Sequence, residues 1–297
     1  MNSVASAHEN VRIDYPIITW MVLIHLAALP ALWSFSWGHL GLTVFMYFIT
    51  GCLGITMTYH RLLTHRAFKV PKWLEYILAT CGALALQGSP LEWVAHHRMH
   101  HAGSDTEIDP HNARRGFLFS HMTWLFYYVP SYDDKKQLRR FARDIAADPY
   151  YQFLERMDVQ ILLQVAVALG LYAIGGWQYM VWGFSFRLVA VYHCTWLVNS
   201  AAHIWGYTNY DVSDSSKNNW LVAFLTWGEG WHNNHHAYGG VAEAGHKWWE
   251  IDITMMVIRL LKLLGLATDV KSYKDLPSNV TSSSGAATET LADRKDI

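Results

Sequence analysis

Seventeen histidines occur in 297 residues, and eight of them fall into three patterned groups. His97, His100 and His101, in the run His-Arg-Met-His-His, are three and four residues apart, so on a helix they share one face. The same spacing returns at His232, His235 and His236. His60 and His65 form a third pair, five residues apart. A regular helix advances about 500° over five residues, which turns His65 well away from His60. The pair is therefore expected to straddle a helix end or a local distortion, from which it can still converge on one centre.

A lone histidine is more often a satisfied polar core residue than a ligand. Two matching HxxHH groups with an HxxxxH pair are not explained that way. So many imidazoles exceed the roughly four ligands that fill one zinc, which makes two metals the natural count. Imidazole alone does not choose among zinc, copper, iron and nickel. Neutral ligands leave the metals' positive charge largely uncompensated, unlike the carboxylate-bridged sites of helix bundles. Redox work on O2 by iron suits such a centre better than hydrolysis does.

Hydropathy supplies the elements that must hold these groups. Residues 17–37 contain no Lys, Arg, Asp or Glu, and as a helix they span about 30 Å, the thickness of a bilayer core. Gly38 and His39 are expected to turn the chain into a second uncharged run, 40–59, that ends at His60. Two more runs, 159–174 and 177–198, are separated by Gly175 and Gly176. The last carries Arg187, which is costly in lipid and so should snorkel or face the protein interior. Residues 73–90 are apolar too, but a crossing there would strand His97 across the membrane from His60. They are read as an interfacial or half-buried helix under the site. Residues 248–266 have acids early and bases late on an apolar helix, which suits the macrodipole and an interfacial position. The patch 133–143 is read as a membrane-facing or solvated surface.

Composition agrees with a membrane setting. The chain is 52% hydrophobic with 15 Trp and only 16% charged residues, unlike an ordinary soluble enzyme. Its net charge of −1 gives no reason to expect nucleic acid. Cys52, Cys81 and Cys194 lie singly in apolar runs, without a CxxC, and are read as buried free thiols. Of the 23 basic residues, 13 lie from 60 to 156 and 8 lie after 204, leaving only Arg12 and Arg187. Both hairpin tips are thus free of positive charge, and the positive-inside rule puts the termini and every histidine group in the cytoplasm.

The motifs HRLLTH at 60–65, HRMHH at 97–101, NSAAH at 199–203 and GEGWHNNHH at 228–236 resemble those of the integral-membrane fatty acyl desaturases of delta-9 (stearoyl) type, within them the cyanobacterial and bacterial acyl-lipid group. The resemblance covers about residues 17–270. It implies an all-α membrane protein with four transmembrane helices in two hairpins, capped by a cytoplasmic helical domain built from 60–158 and 199–270. Outside that stretch, charge placement makes residues 1–16 a cytoplasmic N-terminal segment, and the Ser-, Thr- and Ala-rich composition of 271–297 is read as a disordered tail. Two Fe ions would be held by His60, His65, His97, His100, His101, His203, His232, His235 and His236, with Asn199 acting through water. The implied activity is O2-dependent formation of a cis double bond, with electrons from a separate ferredoxin or cytochrome b5-type donor. Gln87, Trp93, Thr195 and Trp196 match the kink of the family's acyl tunnel, aromatic walls with a polar group at the bend.

One departure bears on the substrate. Animal acyl-CoA members have Arg-Asp where this chain has Ala95-His96, and Arg-Lys where it has Tyr128-Val129. The loss of those charges favours an acyl chain esterified in a lipid over acyl-CoA. Asp105, Asp109 and Glu229 are candidates to receive the outer N–H of ligand imidazoles, and His96, His111 and His121 lie near enough to assist. His8, His25, His39, His193 and His246 are read as structural or solvated. Two rival functions remain: a membrane di-iron hydroxylase, told apart by an alcohol product, and a polytopic metal transporter. A transporter would distribute ligands through the spans, whereas His25 and His193, the only spanning histidines outside the groups, are not expected to form a path.

Overall fold

Asp14 caps the first helix by accepting a hydrogen bond from the Ile17 N–H at 3.1 Å, and Pro16 sits in its first turn. In the computed structural model, which describes residues 10–275, this helix, α1, spans Tyr15–Ala28 and tightens into a 3-10 stretch to Trp33. The turn that follows is made by Ser34 to Ser36 rather than by Gly38 and His39, which are helical. Ser36 Oγ accepts from the His39 N–H at 3.1 Å. A serine cap satisfies a free donor at a helix start, which a glycine cannot do.

The second helix, α2, begins at Trp37–Tyr47 and continues as π-helix over Phe48–Thr64, so it runs through His60 rather than stopping there. The Thr58 and Thr64 hydroxyls bond the carbonyls of Leu53 and Tyr59, each five residues back. Such bonds compete with the regular ladder and accompany its widening. The third apolar stretch, Met157–Ile204, breaks at Gly175–Gly176, where Gly176 takes φ +68°. A Cβ placed on Gly183 would lie 2.9 Å from Leu171 Cδ1, whereas a continuous helix would separate these residues by about 18 Å. The two limbs therefore fold back on each other. With Tyr15–Trp33 and Trp37–Thr64, this makes three helices among the described residues that are long and apolar enough to cross a membrane, the third of them bent into a hairpin.

Arg187 faces inward. It is fully buried and donates to the Leu84 carbonyl at 2.7 Å and to the Gly183 carbonyl at 3.2 Å. The three cysteines are free, Cys52 fully buried and the others half-buried.

Between α2 and the hairpin, α3 spans Lys72–Ala83 and α4 spans Pro90–Ala102. At 12 residues, α3 is about 18 Å long and falls short of a bilayer core. It lies against α2 so closely that a Cβ on Gly54 would collide with the backbone of Cys81 and Gly82. Ser89 and Glu92 form a reciprocal capping box at the start of α4, which fixes where the helix begins. One core joins α2, α3 and α4 to the helix Ile253–Leu263, through Met57, Tyr59, Leu78, Leu91, Val94 and Ile258.

Arg12–Ile13 pairs antiparallel with Tyr127–Tyr128, tying the start of the described chain to the cap. Of the tail expected at 271–297, the first residues are engaged: Lys271 bonds backbone groups of Ala67 and Ala242, and the Tyr273 hydroxyl donates to the His246 carbonyl. Residues 276–297, most of residues 1–16, and His8 lie outside the described residues.

Candidate metal centre

The five-residue spacing of His60 and His65 is explained by the π-helix that carries it. The His65 N–H bonds the His60 carbonyl at 3.1 Å, an i→i+5 bond, and the two rings stand 4.8 Å apart. Five residues is the hydrogen-bond step of this helix, whose wider turn brings that step close to one full revolution, so both side chains leave on the same side. The other groups sit on α4, on the short helix His232–Ala237 and on the helical turn Ala201–Ile204, which brings in His203.

All nine expected histidines converge, in two groups. His60, His65, His97, His101 and His235 form one; His100, His203, His232 and His236 form the other. The division follows helix geometry. In both HxxHH motifs the i, i+4 pair stays together, and the middle histidine, turned about 100° from its neighbour, crosses to the other group. Each helix thus serves both groups.

Within the first group the Nε2–Nε2 separations are 3.0 Å for His60–His235, 3.1 Å for His65–His97, 3.1 Å for His97–His101 and 2.9 Å for His101–His235. In the second they are 3.2 Å for His100–His236 and 3.1 Å for His203–His232. Two nitrogens bonded at about 2.1 Å to one metal and at right angles would be about 3.0 Å apart.

The outer edges of the rings decide the tautomers. The His236 Nδ1–H donates to Asp214 Oδ2 at 2.7 Å. His60 Nδ1 lies 2.7 Å from Glu229 Oε2, His100 Nδ1 lies 3.0 Å from Asp109 Oδ2, and His203 Nδ1 lies 3.5 Å from Asp105 Oδ1. These three contacts are electrostatic rather than straight hydrogen bonds. A ring nitrogen beside a carboxylate carries the proton, so the inward Nε2 atoms of these four rings, His60, His100, His203 and His236, are bare lone pairs. Bare lone pairs facing one another at about 3 Å repel unless a cation stands between them. The donor set therefore fits a metal ion in each group.

Burial alone would raise the carboxyls of Asp105, Asp109 and Asp214, but the imidazoles beside them reverse it, and all three are held well below the ordinary range. Glu229, fully enclosed, is brought down to about 2 despite burial by Arg61 and His60. Arg61 is itself 3% exposed. It donates to Glu229 Oε1 at 2.8 and 3.0 Å, to Asp252 Oδ2 at 2.8 Å and to the Ala242 carbonyl at 2.7 Å. A buried ionic cluster of this kind is tolerated only when each charge is paired.

Sequence reasoning found Asp105, Asp109 and Glu229 but missed Asp214, Asp252 and the anchoring role of Arg61. It also missed the net under the third motif, where the Asn234 amide donates to Glu250 Oε2 at 2.7 Å and Asn233 bonds the backbone of Asn209 and Tyr210. Spacing gives no sign of Asp214 or Glu250. Asn233 and Asn234 stand inside the motif, and their pairing there was a usable signal.

A small cavity of about 50 Å3 opens beside the first group, lined by Trp93, Thr195, Asn199, His60, His97 and Glu229, with Ile55 and Val198 among its apolar walls. Trp93 stacks on His97 at 5.1 Å, and its indole N–H donates to Gln87 Oε1 at 3.4 Å. Gln87 Nε2 donates in turn to Thr195 Oγ1 at 2.9 Å. The structure places Trp196 elsewhere: it stacks on Tyr192 at 5.3 Å and meets His121 and His193 edge-on, outside the lining.

The remaining histidines divide. His111 packs on His100 at 4.4 Å, and His96 turns away to Asp133 at 3.1 Å. His25 and His193, which were not expected to connect, are joined Nε2 to Nε2 at 3.0 Å. His193 then meets His121 at 2.9 Å, and His121 reaches the Ser200 hydroxyl at 3.0 Å. This chain of contacts brings α1, the cap and the last limb together.

Comparison with known proteins bears on this centre. The fatty acid desaturase family model matches residues 35–252, a stretch that holds all nine histidines. The chain is 52% identical over 263 residues to the sn-1 stearoyl-lipid 9-desaturase of Anabaena variabilis, covering 86% of this chain and 95% of that protein. It is 47% identical over 267 residues to the sn-2 palmitoyl-lipid 9-desaturase of a Nostoc species, covering 88% and 93%. An acyl-CoA 5-desaturase of Anemone leveillei is 47% identical over 263 residues, covering 86% and 78%. With two converging imidazole groups set at the ends of apolar helices, and with agreement along most of its length, this chain belongs to the fatty acid desaturase family and is an integral-membrane oxidoreductase.

Proposed function

We propose that the chain is a di-iron acyl-lipid desaturase that introduces a cis double bond at the delta-9 position of a lipid-linked saturated chain. The observation that carries this is the pair of imidazole groups, five and four residues, with inward lone pairs and outward carboxylates. In this reading two irons are held by His60, His65, His97, His101 and His235 on one side and by His100, His203, His232 and His236 on the other. Asn199, on the cavity wall, would reach a bound iron through water. When bound, the irons would supply the O2-derived oxidant needed to break an unactivated C–H bond.

The protein's own residues do the rest. Asp109, Asp214, Asp105 and Glu229 orient the imidazoles and raise their basicity. Trp93, flat against His97, closes the cavity beside the first group, so that a methylene held there is shielded from bulk water. Gln87 braces Trp93 and Thr195 and sets the bend in the path, which fixes which carbons approach the metals. Gln87, Trp93, Thr195 and Trp196 are the proposed tunnel residues, Trp196 lying beyond the small cavity.

Supporting a lipid rather than a CoA substrate, Ala95 is buried, His96 is paired to Asp133, and Tyr128 is covered by the Arg12 guanidinium at 4.3 Å. Neither Ala95 nor His96 offers a free cation to a CoA phosphate. Four crossings, with 73–90 on the surface and both ends and the metals on the cytoplasmic side, accord with the Gly175–Gly176 hairpin and the placement of basic residues. Electrons would come from a separate donor, ferredoxin or a cytochrome b5-type protein.

The test is expression in a host, iron analysis of the purified protein, and mass spectrometry of double-bond position resolved by lipid class. About two irons per chain and a delta-9 alkene in glycerolipid are expected. A hydroxylated product, or an alkene first seen in the acyl-CoA pool, would overturn the reading.

A further inference from the structure

The helix Lys135–Phe141 exposes Lys135, Lys136, Arg139 and Arg140, the next helix, Arg143–Ala147, exposes Arg143, and all of these but Lys135 line a depression of about 460 Å3. Glu155 is 3.4 Å from Arg139 and 3.9 Å from Lys135. Lys136, Arg140 and Arg143 pair with no carboxylate among the described residues. A run of like charge is usually just a solvated face, but this one is wired to the metal centre. Phe141, the last residue of the helix, accepts a hydrogen bond at its carbonyl from Arg98 Nη1 at 3.0 Å. The same guanidinium donates to the Leu63 carbonyl at 2.9 Å and the Thr64 carbonyl at 3.4 Å. Arg98 follows His97 in the chain, and Thr64 precedes His65.

We propose that this basic face docks an acidic one-electron carrier and that Arg98 bridges the docked carrier to His97 and His65. The inference rests on the desaturase reading. That reaction converts –CH2–CH2– and O2, with two electrons and two protons from outside, into –CH=CH– and two waters. Two of the four electrons that reduce O2 come from the acyl chain and two must arrive singly through the surface. Tunnelling rates fall exponentially with separation, which favours a docking face one side chain from the ligands. The uncompensated positive charge selects an acidic partner and speeds its encounter.

The experiment uses the full chain in nanodiscs of zwitterionic lipid, with an acidic [2Fe–2S] ferredoxin as the probe and dithionite as a small reductant. Reversing charge with Arg140→Glu and Arg143→Glu should raise the ferredoxin Kd and KM about tenfold and flatten their salt dependence. Iron content and the dithionite-driven rate should stay unchanged, and the Arg140→Lys, Arg143→Lys pair should bind as the parent does. An unchanged Kd overturns the proposal. So does an equal loss with both reductants, or a loss seen only in nanodiscs that contain anionic lipid, which would give the face to headgroups. Failure of the desaturase reading is separate: the parent protein would then form no alkene with either reductant, whatever the Kd.

Discussion

His100 and His236 present their Nε2 atoms to one another at 3.2 Å, while Asp214 accepts the proton-bearing Nδ1 of His236 at 2.7 Å and Asp109 lies 3.0 Å from that of His100. Neither inward nitrogen then has a proton to share, and only a cation can hold the pair together. Asp214→Ala, which leaves His236 free to rotate and change tautomer, should lower metal affinity and turnover by about 10–100-fold. Metal titration of the purified variant, with membrane insertion checked by fractionation, measures this.

The interleaving of the two groups makes a sharper prediction about stoichiometry. His100→Ala removes a ligand from the four-membered group and His235→Ala from the five-membered group. Both should abolish desaturation while the protein still inserts. His100→Ala should cost the larger share of bound iron, because three imidazoles remain there against four. Full activity in either variant would defeat the site assignment.

Thr195 and Gln87 are joined by a hydrogen bond of 2.9 Å that holds the polar bend beside Trp93. Thr195→Val keeps the shape and loses that bond, at a cost of about 1 kcal/mol. Iron content should not change, whereas the double-bond position should spread to neighbouring carbons. A product distribution identical to the parent's would remove these residues from the path.

Arg61 predicts stability rather than chemistry. It links Glu229 under His60 to Asp252 at the start of the helix Ile253–Leu263. Arg61→Met leaves two buried carboxylates unpaired, a loss of about 3–5 kcal/mol. Thermal unfolding of the solubilised variant should show it, with folding yield as the second readout.

Much of this was legible from spacing alone. The eight clustered histidines and the need for a distortion at His60–His65 follow from a helical period, the turn at Gly175–Gly176 from paired glycines between two apolar runs, and an Arg187 that snorkels or faces inward from the cost of charge in lipid; His203 enters only through the family resemblance. What spacing does not contain is partnership across the chain. His100 and His101 are neighbours, and which group each joins depends on His203 and His60, brought in from remote segments. Asp214 and Glu250 carry no local signature, since only the folded loops bring them to His236 and Asn234. The turn before α2 falls at Ser34–Ser36 rather than at Gly38 and His39, because a serine that satisfies a backbone donor starts a helix better than a glycine does.

The imidazoles also set a pH limit. His97, His101, His232 and His235 are pushed well below the usual range, first by burial and then by neighbouring imidazoles. In the unfolded chain they take up protons near pH 6.5, and in the folded protein they resist doing so. Below about pH 6.5 the unfolded state therefore binds more protons, and stability falls as pH falls. Metal binding acts in the same direction, because the ligand must be neutral. Thermal melting from pH 8 to pH 5 should show a stable plateau above neutrality and a steady decline below about pH 6.5, with iron released over the same interval. Removing the metal with a chelator at pH 7.5 should lower Tm, because the lone pairs at His100–His236 and His60–His235 are then left facing one another. A melting temperature insensitive to both acid and chelator would mean that the imidazoles pack without a cation.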